Sequence, residues 1–208
     1  ADMIPYTGYD ITNAKNRFLN EIFKGTNRTS APNKVLLYRL GATGQTAATA
    51  TVAPLTATAK YPGTRGNDIS IVITELTSPA DTFTVSTVVD GDIVDQQTAE
   101  TVEDLVANDW VTWSGTGALA ANVGTPLTNG ADGTPAASDY TDFLAAIEPY
   151  KFDVLIYDGS DSTVQDAMVA FVKRMSEEEG TYTQLVAAGL TNPDSRYIIN
   201  VNSGVTLS

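Results

Sequence analysis

The stretch Tyr61-Pro62-Gly63-Thr64-Arg65-Gly66-Asn67-Asp68-Ile69 runs directly into the apolar segment Ile69-Ser70-Ile71-Val72-Ile73. Pro62-Gly63 and Gly66-Asn67 are dipeptides typical of turns, since Pro fixes φ and Gly tolerates positive φ. A short run of β-branched residues after a turn-rich loop predicts a buried strand. None of these residues forms a catalytic motif, so the stretch indicates a structural element.

The surrounding residues 42–135 predict a mostly β module. They contain 19 Thr and only two basic residues, and Thr favours strands because its branched Cβ fits a pleated surface. Asp90-Gly91 between apolar residues is a hairpin signal, and Thr101 to Asp104 resembles a capping box that opens a short helix. Asn129-Gly130 predicts a closing turn. Further strands are predicted at residues 49–53, 55–61, 83–88 and 111–113.

Helical periodicity appears on both sides of this module. Residues 11–24 predict an amphipathic helix that Asp10 caps and Gly25 ends, and residues 35–40 predict a buried strand. Ser138 is expected to cap a second helix, and Ser160 or Asp161 a third. The apolar face of the third helix comprises Val164, Ala167, Met168, Phe171, Val172 and Met175. Strands are predicted at residues 152–157, 181–188 and 197–201.

Alternation of strands and helices predicts an α/β fold, mixed with α+β character, around a parallel or mixed sheet. We expect residues 1–41 and 136–208 to form one discontinuous α/β core domain, with the β-rich module 42–135 inserted between them. The chain does not begin with Met and ends on a β-like run. We therefore expect it to be a fragment of a longer protein.

Composition limits the possible functions. The 208 residues, 42% of them hydrophobic, are enough for a globular core. The chain has no apolar run near 18 residues, and no signal peptide is visible at its start. Cys and His are absent, which removes thiolate nucleophiles, the usual triads and the commonest zinc ligands. We therefore expect that the protein is not an enzyme and that it has no catalytic residue, no cofactor and no metal site.

The charge is strongly acidic and unevenly distributed. The net charge of −13 argues against nucleic-acid and anionic-membrane partners. Residues 1–41 carry six basic and three acidic side chains, whereas residues 42–208 carry six basic and 22 acidic ones. This asymmetry is consistent with head-to-tail contacts between copies of the chain. It is equally consistent with a solubilising surface.

Two loops resemble ligand sites only superficially. Gly41-Ala42-Thr43-Gly44 follows the strand predicted at 35–40, but it lacks the Lys-Ser/Thr pair of a phosphate loop. We interpret it as the entry into the β module. Asp158-Gly159-Ser160-Asp161-Ser162 follows a predicted strand, where α/β folds place ligands, and its carboxylates could bind a divalent cation. A helix cap explains the same residues.

Three other features have a structural and a functional interpretation. Glu177-Glu178-Glu179 is either solvated or paired with the basic residues Lys15, Arg17, Lys24 and Arg28 of a neighbouring copy. Asn27-Arg28-Thr29 matches a glycosylation sequon, which has no meaning without a secretory route. Trp110 and Trp113 are expected in the core rather than in a sugar-binding platform.

Several stretches, in order along the chain, together resemble the tail sheath proteins of contractile phages and prophages. The central one is Ala-Lys-Tyr-Pro-Gly-Thr-Arg-Gly-Asn-Asp-Ile, ending at Ile69. The others are residues 18–24, 34–40, 152–159 and 197–204. The chain resembles the central part of a sheath subunit that lacks the terminal arms.

The resemblance implies a mechanical function. Sheath subunits stack as hexameric rings around a tail tube, and contraction drives the tube into the host cell. The implied partners are other sheath subunits, the tube protein and the baseplate; no nucleic acid or membrane is implied. The subunits would assemble in the host bacterial cytoplasm and belong to the virion. Without the arms, this chain is expected to be monomeric.

Two alternatives from other classes remain open. One is a Thr-rich β surface module of adhesin type, which a signal peptide or sugar binding would support. The other is a nucleotide-dependent α/β enzyme, which a phosphate-binding loop would support. The sequence does not separate a phage tail from a bacteriocin or a secretion-type contractile system.

Overall fold

The computed structural model describes residues 3–25, 28, 30–41, 43–191 and 193–202. It divides the chain into two compact units. The first combines Ala1–Val35 with Ala42–Thr134, and the second combines Leu36–Gly41 with Pro135–Ser208. Helices and strands are both well represented, which confirms the predicted mixed fold class.

The first unit contains two antiparallel sheets. Their strands are β1 (Thr49–Val52), β2 (Leu55–Ala59), β3 (Ile69–Glu75), β4 (Phe83–Val89), β5 (Asp92–Ala99), β6 (Val111–Ser114) and β7 (Asn122–Pro126). One sheet has the order β1-β2-β6 and the other β5-β4-β3-β7. Short 3₁₀ turns occur at Thr64–Asp68 and Val102–Asp104.

The two sheets enclose one apolar core, as in a β-sandwich. In β3 the alternate residues Ile69, Ile71 and Ile73 are buried, as the pleat requires for a strand with one face inward. In β2 the buried positions are Leu55 and the smaller residues Ala57 and Ala59. The sheet that carries β3 therefore contributes large side chains, and the sheet that carries β2 contributes mainly small ones.

The predicted hairpin is present between β4 and β5. Asp90 and Gly91 connect the two strands with φ values of 55° and 93°. Positive φ at both central positions matches the right-handed twist of the paired strands, which explains the Asp-Gly sequence. The capping box is also confirmed, since the Asp104 carboxylate accepts from the Thr101 backbone N–H at 2.9 Å.

The N-terminal helix is shorter than predicted. Helix α1 covers Ile4–Thr7, a 3₁₀ turn covers Ala14–Asn16, and α2 covers Arg17–Lys24. Asp10 does cap a turn, since its carboxylate accepts from the backbone N–H of Thr12. The chain is then extended at Asn13, with φ of −62° and ψ of 143°, and this residue interrupts the predicted helix and caps the 3₁₀ turn instead. Gly25 follows α2 with φ of 61° but ψ of −167°, which is not the left-handed helical cap expected.

The prediction of a strand at residues 35–40 is wrong. These residues have no regular secondary structure in the part of the chain that the structure describes. Leu37 and Tyr38 are 46% and 42% exposed, and the Tyr38 ring lies 5.6 Å from the Phe143 ring. An apolar run favours a strand only where a neighbouring strand is available for pairing, and the run itself does not reveal that.

The second unit is a small α/β layer. Its elements are α3 (Ala137–Ile147), β8 (Val154–Tyr157), α4 (Ser162–Glu177), β9 (Gln184–Ala188) and β10 (Ile198–Val201). The parallel sheet has the order β10-β9-β8, with α4 packed on β9 and α3 packed on α4. The observed parallel pairing confirms the prediction.

Helix α4 presents the predicted apolar face to this core. Its buried residues include Val164, Met168, Phe171, Val172 and Met175, while Ala167 is partly buried. The start of α3 differs from the prediction, because Ala136 rather than Ser138 is the N-cap residue. Asp139 closes this end, since its carboxylate accepts from the Ala136 backbone N–H at 2.7 Å.

The units of the structure differ from the predicted domains at the N-terminus. Residues 1–41 were assigned with 136–208, whereas the structure groups 1–35 with the β-rich residues. Pattern analysis could not anticipate this, because contacts between residues distant in sequence, such as that of Arg65 with Gly8 described below, join the N-terminal turn to the sandwich. Separate folding of the two units stays a prediction.

Candidate functional site

The loop between β2 and β3 is held on one side by two side chains. The Asp132 carboxylate accepts from the backbone N–H of Thr64 at 2.8 Å and from its hydroxyl at 2.6 Å. The Asn67 side-chain amide exchanges two hydrogen bonds with the backbone of Gly130, at 2.8 and 2.9 Å. The predicted closing turn around Gly130 therefore fastens the loop to the end of the sandwich segment.

Gly66 allows the same loop to sit on the core. It is buried, and a Cβ at this position would lie 2.8 Å from the Ala48 Cβ and 2.9 Å from the Ala59 Cβ. Such distances are shorter than carbon atoms tolerate in a packed interior. Glycine is therefore required here by close packing, not by an unusual φ.

We expect Gly66→Ala to destabilise the first unit by about 1–3 kcal/mol, because inserting a methyl group into a packed core forces its neighbours apart. Urea unfolding followed by tryptophan fluorescence measures the change. Gly41→Ala, in the second unit, is the control, since among the described residues a Cβ there would meet only the Asp139 carboxylate at 3.5 Å, an ordinary contact. Equal stability of the two variants would contradict the proposed role of Gly66.

Arg65, in the same loop, contacts groups from three parts of the unit. Its Nη1 and Nη2 donate to the two Asp90 carboxylate oxygens at 2.9 and 2.7 Å, and Nη1 also donates to Asp68 at 3.0 Å. Its Nε donates to the Gly8 carbonyl at 2.8 Å. The guanidinium carbon lies 4.3 Å from the centre of the Tyr9 ring. We call this group of residues the Arg65 cluster.

The electrostatics of the Arg65 cluster favour the ionised forms. The hydrogen bond from Arg65 lowers the pKa of Asp90 below its ordinary value, against a smaller opposing effect of burial. For Arg65, burial opposes the charge, but the hydrogen bonds to Asp90 and Asp68 together raise its pKa. The Asp90 contact is therefore fully present at neutral pH and is lost as the pH falls through the lowered pKa of Asp90.

The sequence alone drew attention to this loop without assigning a role to Arg65. Its partners Gly8 and Asp90 lie 57 and 25 residues away. The signals that could have helped are local: Gly8 after a short helical run, and Asp90-Gly91 at a hairpin tip. Neither signal indicates that Gly8 and Asp90 contact the same arginine side chain.

The acidic loop after β8 is a helix cap. The Asp161 carboxylate accepts from the backbone N–H groups of Thr163 and Val164 at 2.9 and 3.2 Å. Among the described residues, no group of three or more Asp or Glu side chains is arranged to hold a metal ion. The structure therefore supports the cap interpretation, with Asp161 rather than Ser160 at the N-cap.

The glutamate run at the end of α4 has a partner within its own unit. Arg174 forms an ion pair with Glu179 and a second one, at 2.7 Å, with Glu148. The basic residues of a neighbouring copy are therefore not needed to explain Glu179.

The remaining predicted features are structural where the structure describes them. Thr43 forms an antiparallel bridge with Thr134, so the Gly41–Gly44 region leads into the sandwich. Trp110 and Trp113 pack against the sandwich core, as predicted. Ala42, Asn27 and Thr29 lie outside the described residues. Within the described part of the chain, no helix has the length and apolar composition needed to cross a bilayer.

One face of the parallel sheet is apolar and exposed. Val154 and Ile156 of β8 are 47% and 55% exposed, and Ile199 and Val201 of β10 are 46% and 41% exposed. Parallel sheets are usually covered on both faces. Exposed apolar side chains on the two strands that flank β9 mark a surface suited to further contacts.

Comparisons with known proteins agree along the chain. The family model described as the phage tail sheath protein beta-sandwich domain matches residues 43–132. The model of the phage tail sheath protein central domain matches residues 133–208. The phage-like element PBSX protein XkdK of Bacillus subtilis is 39% identical over 193 residues, covering 83% of this chain and 41% of that protein.

Two solved structures are also similar. The sheath tail protein of Desulfitobacterium hafniense superposes with a TM-score of 0.90 and 41% identity, covering 100% of this chain and 48% of that one. The sheath tail protein of Listeria innocua gives a TM-score of 0.82 and 32% identity, with 99% and 46% coverage. This chain thus spans less than half the length of these relatives. The adjoining matches to two sheath domains and the similarity to two sheath structures show that the chain belongs to the phage tail sheath protein family.

Proposed function

We propose that this chain is the central part of a sheath subunit that stacks in rings around a tail tube and contracts to drive the tube into a host cell. The observation that carries the proposal is the match of both units, over the full chain, to a sheath tail protein. The tube protein and the baseplate would be further partners, and assembly would take place in the host cytoplasm before incorporation into the virion.

The side chains of the candidate site support a mechanical role. Thr64, Arg65 and Asn67 are each engaged in hydrogen bonds that tie the loop to other parts of the unit. The tail sheath family is structural rather than enzymatic, in agreement with the prediction. The comparisons favour neither the adhesin nor the enzyme hypothesis.

A chimeric sheath protein tests this function. The segment of the Desulfitobacterium hafniense sheath tail protein that matches this chain is replaced by the 208 residues. Negative-stain electron microscopy is expected to show tubes of the same diameter as those of the parent protein prepared in parallel. A folded, soluble chimera that forms no tubes, when the parent does, would overturn the proposal.

We expect the 208-residue chain by itself to be monomeric at micromolar concentration. Exposed ion pairs contribute only about 0–1 kcal/mol each, whereas association costs about 4–15 kcal/mol in lost freedom. Light scattering coupled to size exclusion gives the mass. Lowering the salt should strengthen any residual association, because exposed charges are screened within about 10 Å at 0.1 M salt.

A stable oligomer at micromolar concentration would contradict this prediction. Its salt dependence would then identify the contact. Dissociation at high salt would point to the charged surfaces, whereas persistence would point to the apolar face of the parallel sheet around Val154 and Ile156.

A further inference from the structure

Residues 3–24 form a small folded segment with its own hydrogen-bond network, which we call the N-terminal segment. Asn16, only 2% exposed, is its centre. Its side-chain Nδ2 lies 2.9 Å from the Thr7 hydroxyl, 2.8 Å from the Tyr9 carbonyl and 2.9 Å from the Asp10 carbonyl. Asn16 therefore holds the turn at residues 7–10 together from within the segment.

Two apolar residues of this segment are buried outside the core cluster of the sandwich. Met3 and Leu19 have 4% and 0% of their surface exposed. Within the described residues, the core cluster of the sandwich begins at Ala48 and includes neither of them. The segment therefore adds apolar residues of its own to the unit, and polar contacts also hold it on the sandwich.

The Arg65 cluster supplies such a contact. On the segment side, Arg65 donates to the Gly8 carbonyl and lies over the Tyr9 ring. On the sandwich side, the same guanidinium is fixed by both oxygens of Asp90 at the β4–β5 hairpin. The Arg65 side chain is only 19% exposed, so water competes little for these donors.

Arginine is chemically suited to this position and lysine is not. The planar fork of five N–H groups can satisfy a bidentate carboxylate and a carbonyl at once, and its flat face stacks on an aromatic ring. Gly8 is matched to it, with φ of 75° at the end of α1. A Cβ at Gly8 would also lie 3.2 Å from the Arg65 Cγ.

We propose that Arg65 is a positioning residue that fastens the N-terminal segment to the sandwich, so that removing its guanidinium releases the segment while the sandwich stays folded. The segment has hydrogen bonds of its own around Asn16, and the Arg65 cluster joins it to the sandwich at the turn of Gly8 and Tyr9. This inference concerns attachment within one chain, and it does not depend on the proposed function.

Hydrogen exchange measured by mass spectrometry on the 208-residue chain tests the proposal. The informative amides are those of Thr7, Gly8 and Asn16, which donate to carbonyls within the segment. In Arg65→Ala their exchange is expected to accelerate by roughly tenfold or more, because the free energy of local opening falls when a charge-assisted hydrogen bond is lost. Amides in the β3–β4 ladder should keep their protection. Arg65→Lys, which retains the charge without the fork, should behave like Arg65→Ala in these amides.

Two further variants complete the test. Arg174→Ala is the matched control, because Arg174 is also an ion-paired arginine near an aromatic ring, but it lies in the second unit. It should leave the segment unchanged. Tyr9→Ala removes the stacking from the segment side and leaves the contact of Arg65 with Asp90 in place, so it should accelerate exchange in the segment without changing the β3–β4 ladder.

The outcomes divide clearly. Selective acceleration in the segment, with a protected sandwich, supports the proposal. Unchanged exchange in the segment of Arg65→Ala overturns it, and so does an Arg65→Ala variant whose sandwich does not fold. Equal acceleration in the segment and in the β3–β4 ladder also overturns it, since Arg65 would then support the whole unit.

Discussion

Ile71→Ala is expected to lower the free energy of unfolding of the first unit by about 2–5 kcal/mol, the usual cost of truncating a fully buried aliphatic side chain. Ile71 has no exposed surface and lies in the central strand β3, opposite Thr87 of β4 and Thr125 of β7. The loss is the sum of the transfer free energy of the deleted carbons and the free-energy cost of the cavity that they leave.

Tryptophan fluorescence measures this change directly. The chain has two tryptophans, Trp110 and Trp113, and both pack against the core that contains Ile71. A urea titration should therefore show an earlier midpoint with little change in slope. The control is Ile93→Ala on β5, because Ile93 is 61% exposed. It should change the stability by no more than about 0.5 kcal/mol. Similar losses in the two variants would contradict the assigned core.

Much of the sandwich could be predicted because its signals are local. The β3 alternation and the Asp90-Gly91 turn each depend on neighbouring residues, and both are observed. The apolar face of α4 was predictable for the same reason, since helical periodicity repeats within a few residues. Strand β7 was missed, because Asn122–Pro126 is short, contains Gly and Pro, and carries little apolar pattern.

The errors arise where structure depends on a partner that is distant in sequence. The apolar run at residues 35–40 looks like a buried strand, yet none of its residues is fully buried and it joins no ladder in the described residues. The grouping of residues 1–35 with the sandwich depends on contacts such as that between Arg65 and Gly8. No periodicity within the chain encodes either result.

The candidate site shows the same division. The sequence identified the Tyr61–Ile69 loop through its turn chemistry and its resemblance to sheath proteins. The partners of Thr64, Arg65 and Asn67 became visible only in the structure. A motif rich in turn residues therefore proves to be a junction at which three distant parts of one unit meet.

Leu185→Ala tests whether the two units unfold separately, which we propose from the division of the chain into two compact units. Leu185 has no exposed surface and lies in β9, the central strand of the parallel sheet. We expect a loss of about 2–5 kcal/mol in the second unit. Circular dichroism at 222 nm follows that unit, because the two longest helices, Ala137–Ile147 and Ser162–Glu177, belong to it.

The tryptophan signal serves as the internal reference, because both tryptophans lie in the first unit. With independent units, the dichroism midpoint of Leu185→Ala moves to lower urea, while the free energy of unfolding measured by fluorescence stays within about 0.5 kcal/mol of that of the parent chain. Ile71→Ala should give the reverse pattern. If both signals shift together in both variants, the chain unfolds as one cooperative body, and the two units are a single domain.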